Sequence, residues 1–127
     1  MGNASGRNIT SAICNTVFGR GALATETAAS TNTAVGFEAL KTQNGGHGNT
    51  AVGSSAGDAV TTGDYNTHIG SYAGYSNTTD SYTTFVGYFA GYYNTTGSGG
   101  GYNTAIGASA MKGQNTTCLL YTSDAAD

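Results

Sequence analysis

His47 and His68, Asp58, Asp64 and Asp80, and Cys14 and Cys118 are the side chains of this sequence that could do chemistry. A histidine beside a carboxylate could move a proton, two close carboxylates could divide the roles of acid and base, and a cluster of imidazoles or thiols could hold a metal. Each of these needs its groups brought to one surface at fixed spacing. The elements that carry the residues therefore decide whether any of it is possible.

Those elements repeat. Asn15, Asn32, Asn49 and Asn66 are seventeen residues apart, Thr83 continues the series, and Asn103 resumes it after three extra residues within "GSGGG". Numbering the slots of each unit from that residue, slot 4 holds Phe18, Val35, Val52, Ile69, Val86 and Ile106. Slot 5 is always glycine, at Gly19, Gly36, Gly53, Gly70, Gly87 and Gly107, and slot 8 is always alanine, at Ala22, Ala39, Ala56, Ala73, Ala90 and Ala110. A unit of seventeen residues is too short for a helix-pair repeat and lacks leucine-rich-repeat spacing, which leaves one turn of a β-solenoid. "NTAVG" supplies a short strand with Thr and Val on one side and Ala on the other. Val is read as interior, so Thr16, Thr33, Thr50, Thr67, Thr84 and Thr104 are expected to turn inward with it. Glycine ends the strand where φ must go positive or two backbones approach closely. A second strand is expected over slots 6 to 11. The Asn column, Asn15, Asn32, Asn49, Asn66 and Asn103, is read as a structural ladder that bonds its own turn and the amide above.

Placed in this frame, the reactive groups scatter. His47 falls in a loop and His68 in a strand slot that is Ala, Val or Phe elsewhere, while Asp58, Asp64 and Asp80 occupy three different slots. No paired-carboxylate site, metal site or nucleophile follows, and the chain is read as no enzyme, with no cofactor. "GSGGG" lacks the Lys-Ser or Lys-Thr of a phosphate loop, and the turns do not match the calcium-binding nonapeptide. Asn-x-Ser/Thr triplets begin at Asn3, Asn8, Asn77, Asn94 and Asn115 and are read as turn chemistry. Cys14 and Cys118 imply no disulfide framework.

Composition agrees. Of 127 residues, 9% are charged and 38% hydrophobic, there are 21 glycines, and the net charge is −3. The four basic residues, Arg7, Arg20, Lys41 and Lys112, are scattered, which gives no footprint for nucleic acid, and no apolar stretch is long enough to insert in a membrane. Low net charge together with strict register argues against disorder. So few apolar residues per coil leave the interior small. More buried area is expected from other chains, in a homotrimer wound about a common axis.

"NTAVG", "NTAIG" and "NTHIG", each followed by x-x-Ala, resemble the head repeats of YadA-like trimeric autotransporter adhesins, and equally the repeats of phage and large-virus tail fibres. The resemblance covers Asn15 to Thr117. It implies an all-β fold, a left-handed parallel β-roll packed as a homotrimer, located outside the cell on a bacterial surface or a virion fibre. Residues 1–14 are read as a partial first repeat, because Met1 and Gly2 fall on slots 4 and 5, and 15–117 as a six-coil β-roll. At 118–127, "CLLYTSDAAD" loses the register and resembles a translated sequencing adaptor, so it is read as an adaptor-derived artefactual tail, disordered.

Eight of the nine tyrosines lie between Tyr65 and Tyr102. Tyr72 over Phe89 and Tyr75 over Tyr92 would form a two-coil aromatic strip. Three accounts of it stay open: β-propensity, a trimer contact with Gly74 and Gly91 leaving room for a neighbour's rings, and a sugar-binding face. Function is accordingly expected as surface attachment by an extracellular trimeric fibre or adhesin head, whose partners are its own copies and a host glycan or protein. The alternative is a passive spacer in a tail fibre, and a more distant one an ice-binding β-solenoid built on the Thr column.

Overall fold

The structure, a computed structural model, describes residues 3–94 and 101–113 and the backbone of 120–122. Each coil contributes one three-residue strand: β1 (Thr16–Phe18), β2 (Thr33–Val35), β3 (Thr50–Val52), β4 (Thr67–Ile69), β5 (Thr84–Val86), β6 (Thr104–Ile106) and β7 (Leu120–Thr122). They form one parallel sheet in chain order, with Thr33 opposite Thr50 and Val35 opposite Val52. The register survives the three extra residues, since Thr84 faces Thr104 and Val86 faces Ile106. The expected bulge falls mostly on 95–100, outside the described residues. Among the described residues there is no helix, and the chain is a β-solenoid.

The slot-1 asparagines show how each coil is closed and joined to the next. Asn32 Nδ2 donates to the Gly46 carbonyl at 2.9 Å near the end of its own coil, and Asn32 Oδ1 accepts the Asn49 N–H at 2.8 Å. The same pair of bonds recurs at Asn15 (Ala29, Asn32), Asn49 (Gly63, Asn66) and Asn66 (Asp80, Thr83). With Asn inward, alternation turns slot 2 out, slot 3 in and slot 4 out. This corrects the expected orientation of the strand. The fully buried side chains are Ala34, Ala51, His68, Phe85 and Ala105, while Thr33, Thr50, Thr67, Thr84 and Thr104 and the Val35, Val52, Ile69, Val86 and Ile106 column look outward.

The second strand expected over slots 6 to 11 is absent, replaced by turns. Slot 7 has positive φ at Glu38, Ser55, Tyr72, Phe89 and Ser109, and slot 9 at Leu23, Leu40 and Met111. Left-handed backbone is costly for such residues, and the stack offsets the cost by pairing their amides. The slot-7 N–H donates to the coil below, as Tyr72 to Ser54 at 2.9 Å, and the slot-9 N–H to the coil above, as Leu40 to Ala56 at 3.0 Å. At slot 5 the glycine is obligatory: φ at Gly53 is +135°, and a Cβ there would stand 2.7 Å from the Gly70 carbonyl.

Residues 118–127, read as a disordered tail, are corrected in part. Leu120 pairs with Thr104 and Thr122 with Ile106. The outer edge of β6 offers open N–H and C=O groups, and Leu-Tyr-Thr is a run of strand formers that can take them without the slot-5 glycine.

In four coils a large residue at slot 3 or slot 9 is matched by a small one at the other, and in the third, where Ala51 and Gly57 are both small, Val60 and the rings and chains of neighbouring coils, His68 and Leu40, fill the space. Where slot 3 is Ala34, slot 9 is Leu40; where slot 3 is His68 or Phe85, slot 9 is Gly74 or Gly91. A Cβ at Gly74 would lie 2.6 Å from the His68 ring, and one at Gly91 2.6 Å from the Phe85 ring. The room at these glycines, assigned in one account to a neighbour's rings, is thus filled by the chain's own. Phe85→Ala should cost about 3–5 kcal/mol through the cavity it leaves. Adding Gly91→Leu, which rebuilds the Ala/Leu pairing of the second coil, should recover more than half of that loss in chemical denaturation. Gly91→Leu alone should be worse than wild type.

Candidate functional site

The residues singled out for chemistry do not converge on one site, although His47 and Asp64 meet at slot 16 of adjacent coils. The His47 ring is exposed and its Nδ1 accepts the Ser30 N–H at 3.1 Å, while the His47 N–H donates to Asp64 Oδ1 at 2.7 Å. Asp80 is buried, with Oδ2 accepting from Asn94 Nδ2 at 3.1 Å. Asp58 is half-buried, and burial raises its pKa against the pull of Lys41. Cys14 is a free, exposed thiol. Among the described residues no three His, Cys, Asp or Glu side chains are grouped to hold a metal, and no helix is long and apolar enough to cross a membrane.

His68 is the one reactive group at the centre of the fold. Its ring stacks on Phe85 at 5.3 Å between centroids with 8° between planes, and Nε2 lies 3.0 Å from Thr83 Oγ1. Complete burial lowers its pKa to about 3, so at neutral pH it is an uncharged core residue. It adjoins a column that the sequence reading missed, at slot 12: Glu26, Gln43, Val60, Asn77 and Asn94, all buried. Glu26 Oε1 accepts the Ala28 and Ala29 N–H groups at 2.8 and 2.7 Å, and Oε2 that of Gly45 at 3.1 Å. Gln43 Nε2 donates to the Gly46 carbonyl, and Asn77 Nδ2 to Thr83 Oγ1 at 3.1 Å. Burial alone would raise the Glu26 pKa, but bonds from Ala29, Gly45, Ala28 and Thr27 outweigh it and hold it below the ordinary value of 4.5. The column was hidden because its residue type changes from coil to coil, and at Val60 its polarity as well. The asparagines of the triplets at Asn77 and Asn94 lie in this spine, out of reach of solvent.

The outward aromatics form two groups. Tyr72 stacks on Phe89 at 5.1 Å and 12°, and Tyr75 on Tyr92 at 5.0 Å and 6°. The four rings also meet crosswise, Phe89 to Tyr92 at 4.7 Å and Tyr72 to Tyr75 at 5.7 Å. The expected two-coil strip therefore exists, but its ring faces are half-buried against one another rather than offered to a ligand. The reason is the parallel stack, which lays like slots over one another along the axis and spends ring faces on neighbouring coils. Two further tyrosines stand across it: Tyr88 meets Phe89, and Tyr93 meets Tyr92, each at 86°, and they are 56% and 57% exposed. Lys112 Nζ lies 4.6 Å from the centre of Phe89. Burial, with Tyr93, Tyr75 and Tyr72 nearby, raises the Tyr92 pKa and keeps that phenol a neutral donor. The second group, Tyr65, Tyr82 and Tyr102, is an exposed slot-17 ladder stacked at 5.4 and 5.1 Å. Its signal in the sequence was the run of Tyr immediately before slot 1.

Comparison with family models, curated proteins and solved structures finds no match to this chain.

The buried groups make stability depend on acid. His68 is held unprotonated in the fold, with its pKa below the unfolded value of 6.5, so its contribution is complete above pH 6.5 and falls as pH drops toward about 3. The slope is about 1.4 kcal/mol per pH unit. Glu26, with a lowered pKa, adds a second loss only below about 4.5. Urea melts from pH 7.5 to about 3 should show a decline above pH 4.5 that His68→Phe flattens, while the limb below pH 4.5 persists.

Proposed function

We propose that this chain is a repeat segment of an extracellular trimeric fibre or adhesin head that holds to a surface, on a bacterium or a virion. The observation that carries the reading is the outward strand face. Six coils align Phe18, Val35, Val52, Ile69, Val86 and Ile106 beside the Thr column on one parallel sheet, with Phe18 59%, Ile69 39% and Ile106 47% exposed and the three valines half-buried. The interior is already filled by slots 3, 8, 9 and 12, so this face is not a share of the core. A continuous apolar face of this length favours a partner, and identical in-register coils favour further copies of the same chain. The handedness in this reading is left-handed, and three strand faces meet on the fibre axis. In the aromatic group, the rings at slots 6 and 11, Tyr88 and Tyr93, stay exposed for a ligand. A spacer reading accounts for the first face alone.

Sedimentation should give a trimer, and Val52→Lys with Val86→Lys should return monomer of unchanged secondary structure. A wild-type monomer at micromolar concentration, or a trimer indifferent to both lysines, would sink the proposal. The outward, in-register Thr33, Thr50, Thr67, Thr84 and Thr104 favour one other reading, a flat hydroxyl and methyl array against ice. Thermal hysteresis lost on Thr50→Lys would move the conclusion there; an engaged strand face has none.

A further inference from the structure

The two tyrosines that stand across the ring stack are the ones whose faces remain available. Slots 7 and 10 stack along the axis and show solvent their edges. Tyr88 and Tyr93, at slots 6 and 11 of one coil, meet that stack edge-on at 86° and are more than half exposed. Each can lay an open ring face against the C–H side of a sugar, and each has a hydroxyl at its rim for the sugar's own.

The same place carries a cation. Lys112 is slot 10 of the next coil, above Tyr92 in its column, and its carbonyl accepts the Tyr93 N–H at 3.0 Å. Its ammonium leans over Phe89, and among the described residues it makes no ion pair. A cation over a ring face still has donors to spend on an anion. The acid of the same column, Asp58, lies three coils below Lys112. That is about 14 Å at ~4.8 Å per coil, beyond a Debye length of about 8 Å. One coil further down the same face Glu38 and Lys41 pair with each other at 3.2 Å, and the groups nearer Lys112 are phenols, Ser71, Ser76 and Ser109, all neutral.

Resting on the adhesive reading above, we propose that Tyr88, Tyr93 and Lys112 form a subsite for a pyranose bearing a carboxylate, the chemistry shared by sialic and uronic acid units. The rings take the apolar faces of the sugar and Lys112 takes its carboxylate. Single-site affinity is on the order of millimolar, and repetition around a trimer and along many fibres supplies the avidity.

The test is an NMR titration of ring-labelled tyrosine in the whole chain with sialyllactose, trigalacturonate and lactose. Wild type should shift Tyr88 and Tyr93 with both acidic probes and bind lactose at least fivefold more weakly. Lys112→Gln should bring the acidic probes down to the lactose level. Tyr88→Ala with Tyr93→Ala should abolish binding, Tyr88→Phe with Tyr93→Phe should retain part of it, and Tyr65→Ala with Tyr82→Ala should change nothing. Equal affinity for lactose, indifference to Lys112→Gln, or binding that survives loss of both Tyr88 and Tyr93 in a variant with unchanged melting would overturn the assignment. A glycan array separates the two levels. Wild-type signal confined to neutral glycans leaves the adhesive reading and removes this subsite, whereas no signal on any glycan removes both.

Discussion

Everything in this fold hangs on what one primary amide does at slot 1. The asparagine Nδ2 reaches a carbonyl fourteen residues on in its own coil, as Asn49 reaches Gly63, and its Oδ1 takes the N–H of the next slot 1. One side chain thus shuts the turn and fixes the rise. A carboxylate could not donate and an amine could not accept, and the amide must face inward to do both. Given that orientation, alternation leaves no choice: the middle residue of each strand from β2 to β6 is core and its two neighbours are surface. Where Thr83 takes the slot, its hydroxyl donates to Asn66 Oδ1 at 2.7 Å and accepts from Asn77, so a side chain from slot 12 completes what the missing amide leaves.

The narrowness that follows separates structural from outward-facing chemistry. Only small residues, or a large one opposite glycine, fit inside, so the bulky residues of the sequence are driven outward. Branched aliphatics gather at slot 4 and phenols at slots 6, 7, 10, 11 and 17. A globular protein with this many outward apolar side chains would be short of core. Here the backbone ladder and the buried amides of Gln43, Asn77 and Asn94 carry much of the cohesion, and the surface is free to be sticky in places.

Much of this was legible in the residues. The seventeen-residue register, the strand at each Thr-x-Val and the glycine corner were visible because each demands a single residue type for a steric reason. The inward face was not, because alternation defines two sides without saying which is core, and Val looks more interior than Ala until the width of the coil is known. Positive φ at Glu38, Tyr72 and Phe89 was equally hidden, since none is glycine and the compensation lies in amide bonds to other coils. The aromatic strip was found at its residues, with its presentation left open. Stacking along the axis turns its faces away, and the exposed faces belong to Tyr88 and Tyr93, residues whose slots show no repeat of Tyr.

The exchange between slots 3 and 9 sets where such an array can be cut and rejoined. A coil carrying Phe85 with Gly91, or Ala34 with Leu40, is complete within itself, but a seam placed between the two slots would join a ring to a leucine or an alanine to a glycine. The first collides, and the second needs side chains of other slots and coils to close it, as Val60 and His68 do at Ala51 and Gly57. Shuffling of units by recombination is therefore harmless only when crossovers fall outside slots 3 to 9. Lengthening by duplication in whole multiples of the unit carries each matched pair along intact.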